Sequence, residues 1–254
     1  TLGAWATGNP WFGLLCAVAA GLLTAALHAI VTIGFRADQI TSGLGINLLA
    51  AGLTKFVLTQ VFHSSSNSER VAGLPEWSLP GVSAIPALGA VLGTPLVLLT
   101  AAIVLLGGWL AFRSTFGLRL TSIGERPEAA ASLGLSVARY RVAGVLISGA
   151  LAGLSGAWLA SEQHSFTDGM TGGRGYIALA AMIVGRWSPA GAAAACLLFG
   201  AAEALQITLQ GSGFPGEVLQ MLPYLVTMLA LIGLMGRATP PRAVGVPYDP
   251  EQLG

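Results

Sequence analysis

The side chains of this sequence that could bind a polar ligand are few, and they lie inside apolar runs. Glu203 is an acid well inside such a run, and Gln206 follows three residues later on the same helix face. An ionisable residue in a membrane-spanning segment is costly, and it marks a functional site or a hydrogen-bonded packing residue. Both interpretations stay open for Glu203. Together with Gln206 it could present hydrogen-bond donors and acceptors to a ligand.

Three more side chains could line a polar path. Asn47 lies in an apolar run, where its amide could face the path or hydrogen-bond to another helix. Tyr176 could stack on a base or sugar ring, or anchor the chain at a membrane interface. Tyr224 follows Pro223, which we expect to kink the last apolar run. The predicted path is lined by Asn47, Glu203, Gln206, Tyr176 and Tyr224.

The sequence offers no group of residues suited to covalent or metal chemistry. Its three histidines, His28, His63 and His164, lie in unrelated contexts, so no Ser/His/Asp arrangement can be assembled. Cys16 and Cys196 lie in apolar runs, where free cysteines usually serve as small packing residues. An intramembrane enzyme is therefore disfavoured, and we expect no catalytic residue, metal site or cofactor in this chain.

The composition predicts a polytopic membrane protein. Of the 254 residues, 54% are hydrophobic and only 9% are charged, whereas soluble domains carry about 25% charged residues. The apolar residues form long runs, as in membrane-spanning helices, and the 35 glycines suit close helix packing in lipid. The net charge of +1 comes with no basic cluster, so nothing indicates a nucleic-acid partner. We predict an all-α bundle of transmembrane helices.

One of the apolar runs is too short to cross a bilayer as a helix. Gly175–Gly185 would rise only about 16 Å, so non-helical backbone must complete the crossing. Such backbone is tolerated where it lines a cavity or is buried in protein, which points to a pathway at this broken segment. The predicted spans are Trp11–Gly34, Gly43–Phe62, Ile85–Phe112, Arg139–Ser161, Gly175–Gly185, Ala190–Gln210 and Glu217–Gly236.

Arginine placement predicts the orientation of these spans. The segment 113–138 and its flanks are rich in arginine, which favours a cytoplasmic location. Counting spans from there places the connections 63–84 and 162–174 outside. The tail 237–254 returns to the cytoplasm if Gly175–Gly185 crosses. We thus predict one transmembrane domain over 1–254, with a cytoplasmic loop at 113–138 and a cytoplasmic tail.

A repeated spacing of residues predicts two related halves of opposite orientation. Each copy begins with Asn-Pro or Ser-Pro and ends in a short loop before the next span. Inverted repeats are common in transporters, where substrate is bound between the halves. Only nine residues precede the first copy and the chain opens on Thr1, so we expect an N-terminal segment outside this sequence. The matched positions are Pro10, Gly21, Phe35 and Asp38, and Pro189, Gly200, Phe214 and Glu217.

The segment 124–142, GERPEAAASLGLSVARYRV, predicts a short helix in the charged loop. Pro127 suits the first helical turn, Glu128 complements the helix N-terminus, and Gly134 can end the helix in a left-handed conformation. The helix would lie across the cytoplasmic mouth with a face of small residues. Such a face fits a groove on another protein, although a simple tight connection would give the same pattern.

This segment and the following AGVLISGALAGLSGAW (143–158) resemble the coupling loop and next span of ABC-importer permeases. The similar branch carries branched-chain amino acids, ribose-type sugars and nucleosides. The resemblance extends to RADQITSGLGINLLAAGLT (36–54) and GGRGYIALAAMIVGRWSPAGAAAACLLFGAAEALQ (172–206). The sequences of these stretches are most similar to those of the nucleoside and simple-sugar subgroup. The family's N-terminal segment, with an asparagine and a glutamate near a broken helix, has no counterpart here.

The resemblance implies the fold of a type II ABC-importer permease in a bacterial cytoplasmic (inner) membrane. It implies a chain without catalytic activity, because ATP and Mg²⁺ would be bound by separate cytoplasmic ATPase subunits. A second permease subunit, identical or, by preference, a related one, would complete the path, and an external solute-binding protein would deliver the cargo. The residues implied in ATPase coupling are Gly124, Glu125, Pro127, Glu128, Ala129, Ala130 and Gly134.

Alternatives stay open for the cargo and for the energy source. Nucleosides are the preferred cargo, followed by simple sugars and then by branched-chain amino acids. An ion-coupled secondary transporter would also explain an inverted repeat, but it would need clustered acids at mid-membrane, where only Glu203 is available.

Overall fold

A computed structural model describes residues 1–75, 95–210, 215–234 and 239–248. Within these ranges the chain is built from helices joined by turns and short extended segments. The helices are α1 (Leu2–Thr7), α2 (Pro10–Ala29) continued by a π-helical turn (Ile30–Gly34), α3 (Gln39–Phe62), α4 (Pro95–Arg113), α5 (Thr115–Glu125), α6 (Pro127–Ser132), α7 (Val137–Gln163), α8 (Arg174–Val184), α9 (Pro189–Leu209) and α10 (Gly216–Leu234).

The predicted all-α membrane protein is confirmed. In the described residues, 5 helices are long and apolar enough to cross a membrane, and two shorter apolar helices accompany them. The first part of the predicted span Ile85–Phe112 lies outside the described residues, and α4 begins at Pro95. The five long helices are Pro10–Gly34, Gln39–Phe62, Pro95–Arg113, Val137–Gln163 and Pro189–Leu209.

Helix α3 begins at Gln39, earlier than the predicted Gly43, because Asp38 caps it. The Asp38 carboxylate accepts hydrogen bonds from the backbone N–H of Thr41 at 2.7 Å and from its hydroxyl at 2.8 Å. These bonds, the backbone one first, lower the pKa of Asp38. The carboxylate is therefore charged at neutral pH, and the cap weakens only as the pH falls through this lowered pKa.

The chain forms two compact units. Unit 1 comprises Thr1–Thr100, Thr115–Gly172 and Arg242–Gly254, and unit 2 comprises Ala101–Ser114 and Gly173–Pro241. Unit 1 holds α2, α3 and residues 115–138 of the charged loop, while unit 2 holds α8, α9 and α10. The predicted single domain over 1–254 stays a prediction.

In unit 1, α2 and α7 cross so closely that their backbones touch. A Cβ added to Gly149 would overlap the Cβ of Ala25, and one added to Gly153 would overlap the carbonyl oxygen of Ala17. A Cβ on Gly21 would overlap the Gly149 carbonyl oxygen. Small residues four apart on both helices permit this approach, which is the usual device for packing helices in lipid.

At one end of α7, the connection that follows α3 pairs with the connection that follows α7. Ser68 donates its N–H to the carbonyl of Phe166 at 2.8 Å, and Val71 donates to that of His164 at 2.8 Å. The Ser161 hydroxyl also accepts from the N–H of Leu74 at 2.7 Å. These bonds join residues 68–74 to residues 161–166 at one end of α7. That the connections 63–84 and 162–174 lie outside stays a prediction.

At the other end of α7, the C-terminal tail contacts the charged loop. Ala243 donates its N–H to the carbonyl of Gly124 at 3.0 Å, and Arg141 donates to the carbonyl of Val246 at 2.9 Å. The loop and the tail therefore share one side, opposite the paired connections, as the span count predicts. That this side is cytoplasmic stays a prediction.

The two predicted repeat copies begin with the same cap chemistry. The Asn9 side chain accepts from the N–H of Trp11 at 2.9 Å, and the Ser188 hydroxyl accepts from that of Gly191 at 3.2 Å. In both copies a proline follows the cap at the first helical position. The copies differ in packing, since Gly21 is in tight contact whereas Gly200 meets no described atom within 4 Å. Phe214 lies outside the described residues, and the inverted arrangement stays a prediction.

In unit 2, the short helix α8 packs against α9. A cluster of Ala181, Val184, Ala195 and Phe199 fills their contact, with exposures of 1%, 9%, 4% and 4%. With 11 residues α8 rises only about 16 Å, so the predicted short broken segment is confirmed as a helix. Its crossing of the membrane stays a prediction.

The crossing of α2 and α7 can be tested with a matched pair of glycine substitutions. Gly149→Ala should destabilise the protein by about 1–3 kcal/mol, because the new methyl group must force the two backbones apart. Gly156→Ala is the control on the same helix, since a Cβ there meets no described atom within 4 Å. The midpoint of thermal aggregation in detergent should fall for Gly149→Ala only. Equal midpoints for both variants would contradict the close crossing.

Candidate functional site

An ion pair inside unit 2 joins the start of α8 to the middle of α9. The Arg174 Nη2 lies 2.7 Å from the Glu203 Oε1, and the two side chains are 46% and 45% exposed. Arg174 is the first residue of α8, where Gly173 turns the chain with a φ of 79°. The glycine-rich stretch thereby allows the arginine to start a helix and reach the acid on the neighbouring helix.

The ion pair lies within the length of a membrane-spanning helix. Glu203 is 14 residues past Pro189 and 6 before Leu209 in α9, which is about 21 Å and 9 Å along the helix axis. Glu203 thus has a charged partner on a neighbouring helix, and both interpretations of this acid, as a functional residue or as a hydrogen-bonded packing residue, stay open. Half-exposed charges facing hydrocarbon would be costly, so this face of α9 needs water or protein beside it.

The other predicted path residues of unit 2 are Gln206, Tyr176 and Tyr224, and their side chains are at least partly exposed. Gln206 is half-buried, three residues beyond Glu203 on α9. Tyr176 lies two residues after Arg174, and its side chain is 68% exposed. Tyr224, on α10, is 58% exposed. It lies in an open groove along that helix with Glu217, Gln220, Met221, Leu225 and Met228.

Asn47 lies on α3 in unit 1, and its side chain is exposed. Within the described ranges its side chain makes no hydrogen bond, so its predicted place in the path rests on the sequence alone. The path assignment of all five residues stays a prediction.

Arg174 is the polar residue that sequence reasoning missed. The signal was present, because a single acid inside a membrane span calls for a cation that can reach it. Arg174 is the arginine at the mouth of the broken segment, directly after two glycines. Its 29-residue separation from Glu203 hides the pairing from any local pattern.

The charged loop forms a second candidate site, in which α6 is held between α5 and α7. The side chains of Ile123, Ala130 and Val137 form a small core with exposures of 1%, 3% and 2%. The predicted end of the short helix is confirmed, since Gly134 has a φ of 81° and donates its N–H to Ala131 at 2.8 Å. At 6 residues α6 is shorter than the predicted two turns.

Helix α5 was not recognised in the sequence, although its pattern was available. Phe116, Leu120 and Ile123 follow the spacing of one helix face, but polar residues and Gly117 separate them. The helix occupies Thr115–Glu125, inside the predicted loop 113–138. It supplies Ile123 to the small core that fixes α6.

The predicted coupling residues divide into exposed and inward-facing groups. Ala130 is buried in the small core, so its side chain holds α6 in place and is not available to a partner. Leu133, directly after α6, is 82% exposed. Gly124 and Pro127 are half-buried, while Glu125, Glu128, Ala129 and Gly134 are exposed.

The ion pair can be tested by a double-mutant cycle. Arg174→Gln or Glu203→Gln alone removes the contact between the two charges, so each should lower the thermal midpoint of the protein. The double variant should recover part of the loss, with a coupling energy of about 0.5–3 kcal/mol, as expected for residues in contact. The measurement is the thermal midpoint of the protein in nanodiscs. Purely additive losses would contradict the pairing.

Comparisons with known proteins identify the family. The family model described as "Branched-chain amino acid transport system / permease component" matches residues 2–231. A guanosine ABC transporter permease protein of Bacillus subtilis is 40% identical over 249 residues, which is 94% of this chain and 77% of the relative. A nucleoside ABC transporter permease protein of Lactococcus lactis is 39% identical over 258 residues, covering 98% of this chain and 80% of the relative.

A third relative is named for a different cargo. A putative glucose ABC transporter permease protein of Haloferax volcanii is 34% identical over 211 residues, covering 80% of this chain and 63% of the relative. No solved structure matches the chain. The resemblance found in residues 36–54, 124–158 and 172–206 is confirmed by the family match. The chain belongs to the family of permease components of branched-chain amino acid transport systems.

Proposed function

We propose that this chain is a membrane-spanning permease subunit of an ATP-driven importer that carries nucleosides. The observation that carries the proposal is the 40% identity to a guanosine permease over 94% of the chain. A nucleoside permease at 39% identity supports the same cargo. The arginine-rich loop favours a bacterial cytoplasmic membrane, with the loop and tail inside.

The residues of unit 2 suit a neutral, polar cargo. A nucleoside carries hydroxyl groups and a flat base, so its passage requires hydrogen-bond partners and an aromatic surface in place of water. Glu203 can accept from ribose hydroxyls and Gln206 can both donate and accept. Tyr176 is exposed two residues after Arg174 and can stack on the base. Tyr224 would extend the path along α10.

The geometry of unit 1 suggests how force would enter the permease. An ATPase subunit would hold α6 by its exposed side, which presents Glu128, Ala129 and the neighbouring Leu133. The small core fixes α6 to α7, and α7 is locked to α2 by the glycine crossing. A movement imposed on α6 would thus reach two membrane helices. ATP can bias the transport states only if the ATPase contacts them differently.

The proposed partners follow from the separate roles of the subunits of such an importer. ATP and Mg²⁺ belong to separate ATPase subunits, because a permease component is a transport subunit and not an enzyme. A second permease, related to this one or identical with it, would complete the path. A solute-binding protein would deliver cargo to the side where residues 64–75 pair with 161–168.

Of the two alternative functions, a sugar importer has some support and an ion-coupled transporter has a specific weakness. A simple-sugar cargo is favoured by the 34% identity to a putative glucose permease. An ion-coupled transporter is weakened by the contact of Glu203 with Arg174, because the acid already has a cationic side chain as its partner.

The cargo can be tested by competition in cells that contain the complete importer. Uptake of radiolabelled guanosine should be suppressed by excess unlabelled nucleosides but not by glucose, ribose or leucine. Cells whose ATPase subunit lacks its phosphate-binding lysine serve as the control and should show background uptake only. Competition by glucose or leucine, with none by nucleosides, would reject the nucleoside assignment.

The docking role of α6 can be tested with one substitution on each side of the membrane. Glu128→Trp should weaken ATPase association about tenfold or more, because the bulky ring blocks the exposed face of α6. Glu162→Trp, at the opposite end of α7, replaces an equally exposed glutamate and should leave association unchanged. Co-purification of ATPase with the permease measures both. Ala130→Trp is unsuitable here because Ala130 is buried in the small core.

If both tryptophan variants retain the ATPase equally, the docking assignment fails. Normal membrane insertion of each variant, checked by its yield in the membrane fraction, separates blocked docking from misfolding.

A further inference from the structure

The C-terminal tail contributes to the charged loop in a way that its sequence does not suggest. Residues 242–248, here called the strap, lie on α5, α6 and the first turns of α7. The strap donates the Ala243 N–H to the Gly124 carbonyl at 3.0 Å. Gly124 lies among the last four residues of α5, whose carbonyls have no partner within the helix. The strap therefore supplies a backbone hydrogen bond that the end of α5 needs.

Arg141 holds the strap at two points. Its Nη1 donates to the carbonyl of Val246 at 2.9 Å, and its guanidinium carbon lies 5.9 Å from the centre of the Tyr248 ring. An arginine at this distance from an aromatic face is attracted to it. Tyr248 in turn packs against the small core of Ile123, Ala130 and Val137. The ring is thus one wall of the core that fixes α6.

The strap is built to adopt its position at low entropic cost. Pro240, Pro241 and Pro247 restrict the backbone on both sides of a turn, which is closed by the N–H of Val246 on the carbonyl of Ala243 at 3.3 Å. Gly245 takes a φ of 75° in that turn, a conformation that glycine accepts without strain. A segment restricted in this way loses less freedom when it binds than an unrestrained tail would.

Helix α6 depends on such support because it has only 6 residues. A helix of this length is unstable alone, so its orientation is set by what packs on its buried side. That side is Ala130, which forms the small core with Ile123 of α5 and Val137 of α7. Tyr248 of the strap packs against this core, together with Ala131, Leu135 and Tyr140.

We propose that the strap, through Arg141 and Tyr248, is a positioning element that holds α6 in the orientation presented to the ATPase. Tyr248 completes the wall behind Ala130, and Arg141 locks Tyr248 and Val246 to α7. With the strap in place, α6 and α7 move together. Without it, α6 can tilt on α7, and force applied to α6 is lost. The coupling role rests on the proposed function, whereas the contact between strap and loop does not.

The contact is tested first on the full-chain permease without its partners, by amide hydrogen exchange. Tyr248→Leu should speed exchange at Ala130, Gly134 and Leu135 about tenfold, which corresponds to about 1.4 kcal/mol. Tyr248→Phe keeps the ring and should leave the exchange rates unchanged. The amides of Ser68 and Val71, at the opposite end of α7, are the internal reference. Unchanged rates at the loop, or equal acceleration at both ends, would overturn the proposal.

The coupling is tested next with ATPase and permease reconstituted in proteoliposomes. Tyr248→Leu should lower the amount of cargo moved per ATP hydrolysed about fivefold or more, while ATP hydrolysis continues. Tyr248→Phe should retain the ratio of the unmodified permease, because it keeps the aromatic ring. A general loss of folded protein would lower transport and ATP hydrolysis together and would not change this ratio. An unchanged ratio would overturn the positioning role. If the unmodified permease bound no ATPase, the proposed function would fail, while the hydrogen-exchange result would still stand on its own.

Discussion

The contact on which unit 1 depends is the backbone crossing of α2 and α7 at Gly21, Gly149 and Gly153. In lipid, burying an apolar side chain between two helices gains little, because the hydrocarbon around them is equally apolar. Helices associate instead through close dispersion contacts, and these need residues without bulk at the crossing. Ala17 and Ala25 complete the surface on α2. Composition and fold are therefore linked, since a chain rich in leucine alone could not bring these backbones together.

The same crossing gives α7 a fixed position, and the loops at both of its ends take theirs from it. At one end Ser161 and His164 bind the segment around Val71 and Leu74. At the other end, Val137 enters the small core and Arg141 holds the strap. A helix anchored along its length behaves as a rigid connection. Under the proposed function, a displacement of α6 would therefore be passed along α7, which is how a six-residue helix would contribute to a transport cycle.

The parts of the fold that depend on local chemistry could be predicted, and those that depend on distant contacts could not. Asn9 and Ser188 predict the starts of α2 and α9, because each caps the helix and is followed directly by a proline, which favours the first helical turn. The contact of Arg174 with Glu203 spans 29 residues, and that of Arg141 with Val246 spans 105. No periodicity encodes such pairings. In the sequence both arginines could be interpreted only as charges, one at a broken segment and one in a cytoplasmic loop.

The placement of charge in unit 2 bears on the kind of cargo. A lone carboxylate in the span would present a net negative charge to any solute in contact with it, which would favour cations and repel anions. Arg174 lies 2.7 Å from Glu203 and places a positive charge beside it, and both side chains keep strong hydrogen-bonding groups. Under the proposed function, such a pair would suit a neutral molecule with many hydroxyl and amide groups better than an isolated carboxylate would. Nucleosides and sugars both meet that description, and the proposed stacking at Tyr176 is what would separate a base from a sugar alone.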